Sequence, residues 1–292
     1  MNFSEPLNIW HAAMVGANTL SSVIYFFLYR KSVQQDRFEP ENVRYKKILR
    51  NAGAVFVAVS LYRSIFVCSY PNRISWFDTM FNSPLVIRVF ATFAEISFAL
   101  LVMGPVVHLN KEMPLRTCKF ANSSIGNFMV YKMPYGTFIC LFVAQFCAYS
   151  GLITQHLTIF AIEETLWTIG FFCSFPAALC HLVDVFKHHK NDRSMRLIKL
   201  QLVLLCVYTF GYLIYQIGFS LPFTYYSQLA ADLAKPHYYG MQAVKDAVFK
   251  FSMCRDFNEW GGIGFFIWHS GYFSICTCMN MVFAMAPRKL KD

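Results

Sequence analysis

Seven stretches of the chain are apolar over the length a helix needs to cross a bilayer, and polar residues gather in the connections between them. Crossing ~30 Å of hydrocarbon at ~1.5 Å per residue takes ~20 mainly apolar residues. The stretches run approximately over 7–28, 48–68, 85–109, 137–154, 157–185, 197–221 and 261–287. Only Gln155 and His156 separate the fourth from the fifth, so that boundary is free to slip by a turn. The connection between the sixth and seventh, 222–260, is the longest. In it Met241, Val244, Val248 and Phe251 recur at helical spacing and predict a short amphipathic helix lying on the surface. The pattern as a whole predicts an all-α polytopic membrane bundle of seven transmembrane helices forming a single unit.

Charge gives the bundle a direction. Of the 26 Lys and Arg, nineteen fall in or at the edges of the first, third and fifth connections and in the C-terminal tail, five in the alternate segments, and two, Arg63 and Arg88, deeper within apolar stretches. Cytoplasmic loops carry the basic excess, which predicts an outer N-terminus and a cytoplasmic C-terminus. The sequon Asn122-Ser123-Ser124 then falls on the cytoplasmic side. Trp10, Trp76, Phe77, Tyr225, Tyr226 and Trp260 fall near the outer interface, where an aromatic belt is expected.

Composition agrees with the pattern. At 56% hydrophobic residues, 14% charged residues and a mean hydropathy of +0.40, the chain has too little polar surface to coat a soluble globule. A net charge of +10 would suggest nucleic acid in a soluble protein, but here the basic residues are spread over short connections. The expected partners are membrane lipids, a small ion or small-molecule substrate, and other subunits or copies of the chain, with no nucleic acid. The first apolar stretch follows Glu5 rather than a basic segment, so no cleavable signal is expected. Most of the ten cysteines lie in apolar stretches and none forms a CxxC; one pair, Cys68 and Cys254, both on the predicted outer side, is a candidate disulfide.

Ionisable residues within a membrane are costly and mark functional sites by default. The candidates taken from them are Arg63, Arg88, Glu95, Glu163, Glu164 and His269, and the predicted direction places these six in the outer half or at the midplane. Arg88 and Glu95 are seven apart and share a helix face. Glu95, deepest of the carboxylates, needs a proton, a partner or water, with Arg63 the first-choice partner. His269 is a candidate for proton handling or ligand contact. No cofactor motif and no metal-ligand spacing is evident.

Seven helices with an outer N-terminus invite comparison with G-protein-coupled receptors, but the third stretch ends Val106-Val107-His108-Leu109-Asn110 without an Asp/Glu-Arg-Tyr triplet, and the seventh has no Asn-Pro-x-x-Tyr. The seventh also lacks the lysine that would hold retinal, and paired membrane histidines and histidine boxes are absent. Three classes remain. The first is a transporter or channel with an outward-facing polar site, in which the arginines set selectivity or attract an anion. The second is a membrane-embedded enzyme acting on a lipid or lipid-linked substrate, and the third a receptor or assembly subunit without catalysis.

Overall fold

The computed structural model describes residues 6–38, 40–113, 115, 118–193 and 195–285. Its helices are α1 (Pro6–Gln35), α2 (Val43–Ile65), α3 (Pro84–Glu112), the single turn α4 (Ser124–Asn127), α5 (Pro134–Thr154), α6 (Leu157–His188), α7 (Arg196–Tyr215), the short α8 (Leu229–Leu233), α9 (Gly240–Phe249), α10 (Gly262–Ser270) and α11 (Cys276–Met285). Six helical segments are long and apolar enough to cross a membrane: Pro6–Phe38, Val43–Ile65, Pro84–Glu112, Pro134–Thr154, Leu157–His188 and Arg196–Leu233. Their outer faces expose Phe27, Phe93, Phe146, Val207 and Phe210 to the surroundings, as a surface solvated by lipid allows and one solvated by water penalises.

The seventh predicted stretch is also helical, as α10 and α11 joined through a π-helical turn at Gly271–Ile275. It packs against α1, α2, α3 and α7. Polar contacts fasten it to α1: the Trp10 indole N–H donates to Ser270 Oγ at 2.8 Å and the Thr277 hydroxyl to Asn18 Oδ1 at 3.3 Å. The last residues of that stretch and the C-terminal tail lie outside the described residues.

α5 and α6 form the tightest hairpin of the bundle. Gln155 turns the chain between them in a left-handed conformation (φ 62°), and Gly136 and Gly170 let the two backbones approach. The Thr137 hydroxyl bonds the Gly170 carbonyl at 2.7 Å and Ser174 Oγ at 2.6 Å. Such contacts between small residues hold helices together where lipid removes the hydrophobic drive. Pro105 and Pro176 sit within α3 and α6, which run on through them.

One end of the bundle carries a cap. A hairpin after α2 forms β1 (Cys68–Ser69) and β2 (Ile74–Ser75), and β3 (Ser252–Met253) pairs parallel with β2. Trp76 and Trp260, both 1% exposed, pack together beneath this sheet at 5.9 Å between rings. These tryptophans therefore form a closed core for the cap and not the lipid-facing belt expected of them. Arg73, itself at φ 46°, donates to the Leu152 and Ile153 carbonyls at 3.1 Å and so caps the end of α5.

α9 lies over α3 and α5 on the same end. Its buried face is Ala243, Asp246 and Ala247, while Met241 and Phe249 point outward. The expected stripe through Met241 and Val244 is thus rotated, because small alanines permit closer contact with the bundle than the larger side chains would. The same cap separates Cys68 from Cys254. β2 runs between their segments, so at ~4.8 Å per strand spacing they stand about two strands apart, beyond disulfide reach. Both are free thiols. The thiols that do approach are Cys118 and Cys180, with Sγ atoms 3.2 Å apart.

Candidate functional site

Beneath the cap lies a cavity of about 430 Å³. Arg63 reaches it from the last turn of α2, Arg88 and Glu95 from the first half of α3, and Glu163 and Glu164 from the second turn of α6. Five of the six candidates read from the sequence thus line one space. That convergence follows from topology: α2 ends, and α3 and α6 begin, at the capped end.

The charges are organised around Arg88, which is 2% exposed. Its guanidinium donates to Glu95 Oε2 and, at 2.5 Å, to Gln145 Oε1 of α5, and its other terminal nitrogen is 3.5 Å from Glu163 Oε1. Arg63 lies 3.8 Å from Glu95 Oε1 and stacks over the Phe273 ring at 4.7 Å. Glu95 is therefore shared between two arginines and does not depend on Arg63 alone.

Glu164 stands apart from this network. Its Oε2 accepts from Gln216 Nε2 at 2.6 Å and from the Tyr212 hydroxyl at 3.4 Å, and among the described residues no Lys, Arg or His comes within ion-pair distance of it. The cavity that it lines is rich in aromatic side chains, among them Trp167, Tyr212, Tyr215, Tyr225, Trp268 and Tyr272. Two π-helical segments, Gln216–Tyr225 and Gly271–Ile275, contribute to its walls. π-Turns are uncommon and recur at functional sites because they re-aim side chains that a regular helix would turn away.

Tyr70 enters the cavity from the hairpin, its ring 5.9 Å from the Arg63 guanidinium and 5.8 Å from that of Arg88. Burial pushes its phenol up to about 12, against the pull of the two arginines, so it stays a proton donor at neutral pH. Its hydroxyl has no hydrogen-bond partner among the described residues.

Directly below, the cavity meets a floor. Phe98 lies one turn beyond Glu95, Phe171 one turn beyond Trp167, Tyr208 one turn below Tyr212, and Phe56 two turns below Arg63. Their rings and that of Tyr272 pack around Phe98 at 5.2 to 6.1 Å. Phe56, Phe98 and Phe171 are fully buried.

His269 does not line the cavity. It is buried behind the wall among Trp10, Phe265 and Phe273, with ring distances of 5.6, 5.3 and 4.5 Å, and neither ring nitrogen has a partner among the described residues. Sequence reading passed over Gln145, Gln216, Tyr70 and the floor. For the two glutamines the available signal was an amide in the middle of an otherwise apolar run.

Comparison with protein-family models, with curated proteins and with solved structures finds no match for this chain.

Proposed function

We propose that the chain is a seven-span transporter with an outer N-terminus and a cytoplasmic C-terminus, which binds a small organic cation in the capped cavity in exchange for a proton on Glu164. The Gly262–Met285 run supports the seventh span: at ~1.5 Å per residue it is roughly 35 Å long, enough to cross the bilayer, and it packs into the bundle core. The basic excess on alternate connections supports the direction, which puts the cavity at the outer face.

The observation that carries the functional reading is a charge imbalance. Two guanidiniums face three carboxylates, and Glu95 and Glu163 take up both guanidiniums. Glu164 remains, held by two neutral donors in a cavity rich in aromatic side chains. A half-buried carboxylate among apolar and aromatic side chains, without a cation, is disfavoured when ionised, so it carries a proton until a cation replaces it. Aromatic faces around a carboxylate suit an ammonium group, which gains cation–π attraction as it is desolvated. Both guanidiniums already face carboxylates, which supports a cation over an anion as the ligand.

Transport is favoured over a one-sided receptor or enzyme by the polar groups beyond the floor. Gln201 on α7 and Asn280 on α11 are buried at 1% and 0% exposure, and their amides have no hydrogen-bond partners among the described residues. Leaving such groups unpaired costs about 1–3 kcal/mol each, a cost that rearrangement to an inward-open state relieves.

The test is uptake of radiolabelled choline and tetraethylammonium into proteoliposomes with an imposed pH gradient. The expected result is gradient-driven uptake that Glu164→Gln abolishes while the variant still folds. Uptake of neither compound, or equal uptake by Glu164→Gln, overturns the reading.

A further inference from the structure

At the rim of the capped end three side chains from separate segments meet: His156 in the α5–α6 joint, Asp232 on α8, and His237 between α8 and α9. One ligand atom of each lies within 4.8 Å of the others. Four-coordinate zinc with ~2.0–2.1 Å bonds spaces its donor atoms by roughly 3.4 Å, so small side-chain rotations close the gap.

The surroundings fit a metal better than they fit a chance meeting. The imidazoles of His156 and His237 stack face to face, 3.3 Å between centroids and 15° from parallel, a placement that two protonated rings would resist. Both ring nitrogens of His237 are shielded from solvent, yet neither has a hydrogen-bond partner among the described residues. The other two groups are held as supporting hydrogen bonds hold metal ligands. Asp232 Oδ2 accepts from the Leu157 backbone N–H at 2.8 Å, and a His156 ring nitrogen shares a hydrogen bond with the Tyr239 hydroxyl at 2.7 Å.

We propose that His156, Asp232 and His237 form a zinc site. Two imidazoles and a carboxylate are a borderline donor set suited to zinc and unsuited to magnesium or calcium, which take oxygen ligands. A fourth position is left for water. Bound zinc ties the segment between α7 and α9 to the α5–α6 joint. Leu157, next to His156, and Gln228, four residues before Asp232, both line the central cavity, so the ion also fixes one side of its mouth.

The experiment uses the purified full chain in detergent, stripped with a chelator and titrated with Co²⁺ as an optical stand-in for Zn²⁺. One Co²⁺ per chain is expected, with intense visible ligand-field bands that added Zn²⁺ bleaches. His237→Ala and Asp232→Asn weaken binding at least about tenfold, and His188→Ala, on the basic connection at the other end of α6, leaves it unchanged. Metal-free melting of each variant at the wild-type temperature shows that the fold is intact. Zinc also slows proteolytic cleavage within 226–240 in the wild type and not in His237→Ala. A wild type without ligand-field bands overturns the proposal, as does a folded His237→Ala that binds Co²⁺ like the wild type.

Discussion

Arg88 is the side chain whose loss the site tolerates least. It holds Glu95, Glu163 and Gln145 at once while itself almost completely buried. Removing one partner of a buried charge network costs about 3–5 kcal/mol, because the remaining charges are left uncompensated. Arg88→Gln is therefore expected to lower the melting temperature in detergent sharply. Adding Glu95→Gln to that variant is expected to restore part of the loss, which a role for Arg88 in packing alone would not produce. The ionisable members of the site were legible in the sequence because a charge inside an apolar run is rare and must have a reason. Gln145 was not, since neutral amides occur in membrane helices for many reasons, and Tyr70 sits in a loop where nothing in the local pattern marks an inward-pointing ring. His269 shows the converse: a titratable residue at the right depth, turned by helix rotation behind the wall it was expected to line.

Among the helices, the α5–α6 pair sets the geometry that brings Glu163 and Glu164 to the cavity and Gln145 to Arg88. A Cβ at Gly170 would stand 2.4 Å from Leu141 Cδ1, 3.3 Å from Cys140 Cβ and 3.4 Å from the Thr137 carbonyl oxygen. Leu141 is fully buried and has little room to swing away. Gly170→Val is expected to cost about 1–3 kcal/mol by forcing the helices apart, seen as a lower melting temperature together with weaker ligand binding. Hydropathy located these helices because their length is dictated by the bilayer and their composition by lipid. It was silent on rotation: the sequence pattern pointed to Met241 and Val244 on the amphipathic helix, and contact with α3 and α5 selected Ala243 and Ala247 instead. It was equally silent on pairing between distant segments. β2 between Cys68 and Cys254, and His156 beside His237, arise from chain crossings that no local spacing records.

For the whole molecule, the proposed direction makes a prediction independent of the cavity. A glycosylation acceptor engineered into the exposed 233–236 turn should be modified when the chain is made with microsomes, whereas the natural Asn122 sequon should not, as read by an endoglycosidase-sensitive mass shift. Modification of Asn122 alone would reverse the orientation. The aromatic floor below Arg63 and Glu95 has an electrical consequence. On the proposed function, a polar vestibule above and a layer of packed rings below divide the membrane into two unequal dielectrics, and the transmembrane voltage falls mainly across the less polarisable one. A cation arriving at Glu164 therefore crosses little of the field, and its affinity should hardly respond to membrane potential. The passage of Phe98 and its neighbours carries nearly all of the ~2.3 kcal/mol that 100 mV does on a unit charge.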